Sequence, residues 1–253
     1  MANFTTHIAV GIVVSGAAAT LTLAANVVSP AEILTLAMTG ALGSVLPDID
    51  LQKSRPSQAI FLGLGIFLAF AVLFKAAYQL SIAEMWLIWL ATFFGVRFAG
   101  HNIFHRIAEH RGIFHSVLAA VFFATLTAIT YVYAFNYHPA LAWLGGGFMF
   151  IGYITHLILD EIYSVDVYNE RIKASFGTAL KLIDMHRPYA SAAMGAALAL
   201  AIWMAPSPMP FVTAFQAVDV RSMIHDRFLP PDQNWFGITD DLTQIAANWM
   251  KKS

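Results

Sequence analysis

The sequence predicts an all-α fold, a polytopic membrane helix bundle with about six or seven spans and a small carboxyl-terminal tail outside the membrane. Of its 253 residues, 58% are hydrophobic and 11% are charged, whereas soluble domains carry about 25% charged residues. The mean hydropathy is +0.66. Apolar segments also recur along the chain, at lengths close to the roughly 20 residues that cross about 30 Å of hydrocarbon. Composition and segment length therefore both indicate a multi-pass membrane protein.

Seven apolar segments are candidates for membrane spans. They cover residues 4–28, 31–46, 60–80, 83–104, 113–135, 141–162 and 189–205. The second and seventh segments are short, so each is a plain crossing, a tilted helix or a re-entrant segment, and six spans is an alternative to seven. The first seven residues, MANFTTH, lack the positive charge of a signal peptide and the apolar stretch after them is long, so we expect a retained span.

Basic residues predict which side of the membrane each loop occupies. Lys53 and Arg55 precede the third segment, Arg106 and Arg111 precede the fifth, and further basic residues precede the seventh. The intervening connections YQLSIAE and NYHPA contain none. Because short loops rich in lysine and arginine stay in the cytoplasm, we expect a multi-pass protein of the inner (cytoplasmic) membrane with its amino terminus inside. Seven full spans would place the tail outside, yet its basic residues suit the cytoplasm, which favours a seventh segment that enters without crossing.

The chain divides into two predicted regions. Residues 1–206 form the transmembrane domain, and residues 207–253 form the carboxyl-terminal tail. Near the end of the tail, the stretch TDDLTQIAANWMKKS places Leu242, Ile245 and Trp249 on one helical face. We therefore expect an amphipathic helix there, which packs on the protein or lies at the membrane interface.

The charge balance and the lack of cysteine narrow the chemistry. The formal net charge of -1 gives no basic field of the kind that nucleic-acid binding requires, so we expect no nucleic-acid partner. The chain contains no cysteine, which excludes disulfides, thiolate nucleophiles and cysteine-ligated zinc. Any metal ion must therefore be held by histidine, aspartate or glutamate.

Histidine and aspartate residues recur at the ends of the predicted spans, all near the predicted cytoplasmic boundary. They are His7, Asp48, Asp50, His110, His115, His156 and Asp160. Ionisable groups in membrane segments turn away from lipid and find partners. Small residues continue the same helical faces, as Gly11 and Ser15 do after His7 and Gly152 does before His156. We therefore expect these polar groups to face the packed interior of the bundle.

The spacing of two of these pairs suits metal coordination. His156 and Asp160 stand four residues apart, so both can reach one ion from a single helix. Pro47 is expected to end the preceding helix, which lets Asp48 and Asp50 turn back toward the same point.

The loop before the fifth segment adds further candidates. Gly112 provides a hinge between His110 and His115, so the two imidazoles can approach from different directions. With two divalent ions, the three carboxylates of the set would leave a charge of +4 − 3 = +1, which suits an anionic substrate. Zinc is the default metal for such ligands, in one to three ions, and manganese and iron are also admissible. Arg111 is the best candidate for bidentate binding of a phosphate.

Four motifs also carry a family resemblance. The TH pair near the start, LPDID, HRGIFHS and GYITHLILDE, in this order, resemble the YdjM-like inner-membrane family, which is described as LexA-regulated metal-dependent hydrolases. The resemblance covers roughly residues 1–185. That family is distantly similar to zinc-dependent phospholipases C, helical enzymes with clustered metals. The resemblance implies a metal-ligand set. Carried onto this chain, the set is His7, Asp48, Asp50, His110, His115, His156 and Asp160.

These observations predict a membrane-embedded, metal-dependent hydrolase. We expect it to cleave phosphoester bonds in a lipid or lipid-linked phosphate with a metal-activated water at the cytoplasmic side, with membrane lipids as partners. Asp48, His110 and Arg111 are the expected catalytic residues. A divalent-cation or proton transporter and a metal-stabilised, non-catalytic membrane scaffold are the alternatives. Transporters commonly place their ligands near the midplane between inverted repeats, and the sequence contains no visible repeat.

Overall fold

The computed structural model describes residues 3–25, 27–50, 54–76, 81–107, 112–166, 171–172 and 180–217. Within these ranges the chain is helical apart from turns and one two-residue antiparallel pair, so the predicted all-α class is confirmed. The helices are α1 (Phe4–Ala24), α2 (Pro30–Gly43), α3 (Arg55–Ala76), α4 (Ile82–Phe94), α5 (His101–Ile107), α6 (Val117–Tyr133), α7 (Pro139–Ile162), α8 (Pro188–Met204) and α9 (Met209–Ala217). A 3-10 helix (Leu46–Asp50) follows α2, a π-helix (Gly95–Gly100) joins α4 to α5, and β1 (Val165–Asp166) pairs with β2 (Arg171–Ile172).

Three of the described helices are long and apolar enough to cross a membrane. They are Phe4–Ala24, Ile82–His105 and Pro139–Ile162, which coincide with the predicted segments 4–28, 83–104 and 141–162. Helices α8 and α9 make a fourth candidate, bent by 75° at their break, which is the geometry of a broken span or a re-entrant segment. Two shorter apolar helices are also present: Ser57–Phe70 overlaps the predicted segment 60–80, and Val117–Tyr133 lies within the predicted segment 113–135. The described residues thus contain three or four spans by length and composition.

Helix α7 is the centre of the bundle, where it packs against α1, α2, α6 and α9. The side chains of α1 that are buried are His7, Gly11, Ser15 and Ala19, one residue in every four. This is the small-residue face that the sequence predicts, and it allows the helix axes to approach closely. Helix α3 packs mainly on α4, and α8 packs on α6.

Backbone contact between α2 and α7 fixes the centre of this packing. A Cβ atom added to Gly152 would overlap the backbone carbonyl of Gly40, and one added to Gly43 would overlap the carbonyl of Met149. The two helices therefore pack main chain against main chain. As a result, the carboxyl end of α2 lies against the last turns of α7, where Ser44 reaches His156.

Helix α2 ends ahead of Pro47, as the sequence predicts. The helix ends at Gly43 with Ser44 as its C-cap, and Pro47 lies inside the 3-10 helix that follows. The residue before a proline is disfavoured in the α conformation, so an α-helix tends to end ahead of that residue. The tighter 3-10 winding then carries Asp48 and Asp50 over the end of α7.

The amino terminus of α6 is also held from outside the helix. The amide of Val117 donates to the carbonyl of Lys181 at 2.8 Å, and the amide of Leu118 donates to the carbonyl of Leu182 at 3.1 Å. The hydroxyl of Ser116 accepts from the amide of Ala119. These bonds satisfy amides that a helix start leaves without intrahelical partners, and they fix the residues that immediately precede α6.

The beginning of the predicted tail is part of the bundle. Helix α9 packs against α7, and the indole of Trp143 donates to the carbonyl of Pro206 at 3.0 Å. The predicted amphipathic helix near Leu242 and Trp249 lies outside the described residues. The boundary between residues 1–206 and 207–253 therefore stays a prediction.

The α2–α7 contact predicts a large difference between two glycines of α7. Gly152→Ala places a methyl group against the Gly40 carbonyl, so the helices must separate and we expect a loss of about 1–3 kcal/mol of stability. Gly147→Ala meets open space and is the matched control, for which we expect no loss. Thermal unfolding of the two variants in detergent measures the difference. Equal melting temperatures for both variants would contradict direct backbone packing.

Candidate metal centre

The structure brings six of the seven predicted metal-ligand residues to one place. These six, which we call the His/Asp cluster, are His7, Asp48, Asp50, His115, His156 and Asp160. The seventh, His110, and the predicted phosphate-binding residue Arg111 lie outside the described residues. Of the predicted catalytic residues, Asp48 is therefore the one whose surroundings the structure describes.

Four chain segments supply the cluster from one end of the bundle. His7 lies in the first turn of α1, whereas His156 and Asp160 lie in the last two turns of α7. The 3-10 helix after α2 contributes the two other aspartates, and His115 immediately precedes α6. Helix starts and helix ends from opposite chain directions therefore meet at the same depth.

Asp160 lies at the centre of the cluster. Its Oδ1 is 3.1 Å from Nε2 of His7, and its Oδ2 is 3.6 Å from Nε2 of His115 and 3.9 Å from Nε2 of His156. The two oxygens thus face different imidazoles. The His7 and His156 rings stack with centroids 3.7 Å apart and an angle of 12° between their planes.

The other two aspartates face two of the same imidazoles. Oδ1 of Asp48 is 3.6 Å from Nε2 of His156, and Oδ2 of Asp50 is 3.4 Å from Nδ1 of His115. Each of these imidazoles therefore faces Asp160 and one other carboxylate, at two different ring nitrogens in His115 and at the single nitrogen Nε2 in His156.

Burial distinguishes Asp48 from the rest of the cluster. Its side chain is 13% exposed, whereas the side chains of His115, His156 and Asp160 are fully buried. Burial raises the pKa of Asp48 above its ordinary value, and the imidazoles of His7 and His115 oppose that shift. The site is thus closed on most sides and opens at Asp48.

A backbone carbonyl fixes the hydrogen-bonding state of His156. Its Nδ1 lies 2.8 Å from the carbonyl oxygen of Ser44, and a carbonyl can only accept, so Nδ1 carries the hydrogen. In the neutral imidazole, Nε2 then holds a lone pair. This atom is buried and has no hydrogen-bond partner among the described residues. It faces oxygens of Asp48 and Asp160, which are also electron-rich, so the arrangement suits a cation between them.

The spacing of these atoms fits a transition-metal ion. Two groups of three residues each have ligand atoms that all lie within 4.8 Å of one another. The first group is His7, His156 and Asp160, and the second is Asp48, His115 and His156. Two ligands bound about 2.1 Å from a tetrahedral zinc ion are about 3.4 Å apart. The separations of 3.1 to 3.9 Å between imidazole nitrogens and carboxylate oxygens bracket this value. The buried His/Asp groups could therefore hold a metal ion.

The two groups share His156, which limits how they can be used together. One imidazole nitrogen has one lone pair, so Nε2 of His156 can serve a single ion. Asp160 differs, because its two oxygens face His7 on one side and His115 on the other, and a carboxylate can bridge two ions. Besides Asp160, the carboxylates of Asp48 and Asp50 could balance the charge of a second ion near His115.

Comparison with known proteins assigns the chain to a family. A family model described as YdjM inner membrane protein matches residues 1–168. The chain belongs to the YdjM inner membrane protein family. No curated protein and no solved structure matches it. The family therefore supports an inner-membrane location, whereas the comparisons do not confirm the resemblance to metal-dependent hydrolases or to zinc-dependent phospholipases C. All six residues of the His/Asp cluster lie within the matched YdjM region.

One contact to the His/Asp cluster involves His105, a histidine outside the predicted ligand set. Nδ1 of His105 is 3.2 Å from the backbone carbonyl of Asp50, and Nε2 is 2.8 Å from the hydroxyl of Ser57. The carbonyl requires a hydrogen on Nδ1, so Ser57 donates to Nε2. His105 therefore joins α3 and α5 to the turn that carries Asp50. The four-residue spacing of His101 and His105 can be seen in the sequence. The contact of His105 cannot be predicted from it, because the acceptor is the main-chain carbonyl of Asp50.

Loss of a cluster ligand should remove metal from the purified protein. We expect His156→Ala and Asp160→Asn to lower metal affinity by at least the 10–100-fold that loss of an outer partner costs. Elemental analysis of detergent-purified protein after zinc loading measures the loss. His186→Ala, which changes an exposed histidine outside the cluster, should leave the metal content unchanged. Unchanged content in both cluster variants would contradict the assignment.

The position of Asp50 should depend on His105. We expect His105→Ala to weaken metal binding by about 10–100-fold, because the turn loses the donor that holds its carbonyl. His105→Asn retains an N–H donor near the position of Nδ1 and should restore much of the affinity. Metal titration of the two variants measures both effects. Equal affinities for the alanine and asparagine variants would show that this hydrogen bond does not position the ligand.

Proposed function

We propose that this protein is a multi-pass inner-membrane hydrolase that depends on a divalent metal and cleaves phosphoester bonds of a lipid or lipid-linked phosphate. One observation carries the proposal. The Ser44 carbonyl turns the Nε2 lone pair of His156 toward two carboxylates in a buried cluster, which is how a metal-ligating histidine is usually oriented.

Zinc is the metal that the ligand set favours. Three imidazoles and three carboxylates in the described cluster supply nitrogen and oxygen ligands, and the chain offers no thiolate. Manganese and iron also accept these ligands, and the number of ions lies between one and three. When bound, such an ion supplies Lewis acidity, lowering the pKa of a coordinated water and stabilising charge on a phosphoryl oxygen.

The partial exposure of Asp48 favours catalysis over a purely structural metal. Structural zinc sites are closed by four protein ligands, whereas catalytic sites keep a position open. Asp48 is 13% exposed and lies at the one side of the described cluster that is not fully buried. We assign it to contact the substrate there. Arg111 is assigned to bind the phosphate and His110 to complete the ligand set on the basis of the sequence.

The proposed topology follows from the basic loops. Six or seven spans with the amino terminus in the cytoplasm put the first turn of α1 and the last turns of α7 at the cytoplasmic side. The cluster then lies near the inner surface of the inner membrane, within reach of lipid phosphates. The bend of 75° between α8 and α9 supports a final segment that enters the membrane and turns.

Hydrolysis of lipid phosphoesters tests the proposal. Zinc- or manganese-loaded protein should release the headgroup or phosphate from labelled phospholipids in mixed micelles, and Asp48→Asn should lower the rate by at least about 10–100-fold. Glu84→Gln, at the exposed amino terminus of α4, is the control and should retain the rate.

A parallel measurement separates the alternatives. Metal uptake into vesicles that is abolished by Asp48→Asn, without any hydrolysis, would replace the hydrolase with a transporter. If bound metal raises the melting temperature but the protein shows neither metal uptake nor hydrolysis, the result would contradict the hydrolase and support a metal-stabilised scaffold.

A further inference from the structure

An apolar groove of about 690 Å³ lies beside the His/Asp cluster, among α3, α5, α6 and α8. Its walls include Phe61 of α3, Ile103 of α5, Phe122 of α6 and Met194 of α8. Sites that bind small molecules have volumes of about 300–1,000 Å³ and mostly apolar walls. The groove is therefore large enough for a ligand, and its mostly apolar walls suit a hydrocarbon group.

The groove is continuous with the turn and the loop that carry cluster residues. Ile49, which lies between Asp48 and Asp50, forms part of its wall. Phe114, which immediately precedes His115, forms another part. A ligand in the groove would therefore touch the backbone segments that position three of the six cluster residues.

Arg187 is the one charged residue among the described residues that line the groove, and it lies at one end of it. Arg187 lies at the amino terminus of α8, and the groove continues along that helix to Ala197. Ten residues at a rise of 1.5 Å each give about 15 Å, which is about half of the roughly 30 Å hydrocarbon core. The groove thus has a cationic end and an apolar length that matches one leaflet.

We propose that the groove binds one hydrocarbon chain of an anionic phospholipid and that Arg187 binds the lipid's phosphate. The charge of Arg187 complements a phosphate, and arginine binds phosphate oxygens through paired N–H donors. The lipid headgroup then lies at the end of the groove from which the proposed cytoplasmic loops emerge. This inference rests on the proposed function, because it names an anionic phospholipid as the substrate class of that hydrolase.

Photolabelling with a lipid of known structure tests the groove. The full chain in vesicles of phosphatidylcholine and phosphatidylglycerol is illuminated with phosphatidylglycerol that carries a diazirine in one acyl chain, and the adducts are mapped by mass spectrometry. We expect adducts on groove residues such as Phe104 and Met194. Ala193→Phe and Ala197→Phe narrow the groove and should lower this labelling about tenfold. Ala199→Phe, about 180° away on α8, is the matched control and should not.

A second arm tests the charge. Arg187→Gln should lower labelling by the phosphatidylglycerol probe about tenfold and leave labelling by a diacylglycerol probe, which has no phosphate, unchanged, while Arg187→Lys retains most of the phosphatidylglycerol labelling. Equal loss for both probes would overturn the role of Arg187. Adducts spread over the outer helix surfaces, with none on groove residues, would overturn the lipid as occupant of the groove.

The same variants separate this inference from the proposed function. Ala197→Phe should keep its metal while losing hydrolysis of the phospholipid, whereas the control Ala199→Phe should keep both. Labelling that ignores the groove variants, in protein that still binds metal and hydrolyses lipid, would overturn the groove alone. Groove labelling in protein without metal or hydrolysis would support lipid binding and overturn the hydrolase.

Discussion

Three carboxylates buried at one end of an apolar helix bundle impose the main constraint on this structure. A buried charge is costly unless it is paired and hydrogen-bonded, and the cost is larger in a membrane than in a water-soluble fold. Asp160 is fully buried, and its two oxygens face three imidazoles. The imidazole of His156 donates instead to the Ser44 carbonyl, so it brings a lone pair to the cluster. A divalent cation would resolve this excess of negative charge and lone pairs, whereas further protonation would have to occur at buried sites.

The geometry of the His/Asp cluster depends on the glycine packing between α2 and α7. The lone pair of His156 points inward because the Ser44 carbonyl reaches its other nitrogen, and that carbonyl is in place because α2 ends against α7. The direct contact at Gly40 and Gly152 sets the distance between those helices. A larger residue at position 40 or 152 would push α2 and α7 apart and move the Ser44 carbonyl away from His156. This would happen even if the new side chain touched no ligand residue. The small-residue face therefore serves the chemistry of the site as well as the packing of the helices.

Much of the cluster is predictable because its residues follow helical periodicity. The four-residue spacing of His7, Gly11 and Ser15 predicts one buried face, and that face is buried. The same spacing predicts that His156 and Asp160 act together. These predictions rest on side chains within single helices, for which the sequence carries the geometry directly.

Other features depend on main-chain atoms or on contacts among several helices, and the sequence does not encode them so directly. The contacts of His156 to the Ser44 carbonyl and of His105 to the Asp50 carbonyl involve acceptors that every residue possesses. Pro47 predicts that α2 ends ahead of it, but not that a 3-10 helix follows and carries Asp48 and Asp50. The apolar groove is harder still to predict, because a side chain that lines a groove and one that faces lipid are equally apolar. The helix arrangement alone separates them.

The depth of the cluster bears on the choice between catalysis and transport. Alternating access works on ligands held near the midplane, commonly by broken helices. Here His7 lies in the first turn of α1, and Asp160 lies in the last turn of α7. Both helices are unbroken along their full length, and they meet the rest of the cluster at one end of the bundle. The direct backbone contact of α7 with α2 also resists the sliding or rocking that would expose such a site to the opposite side. A cluster at one end of the bundle, with Asp48 as its most exposed described side chain and an apolar groove beside it, therefore favours the proposed hydrolase over the transporter.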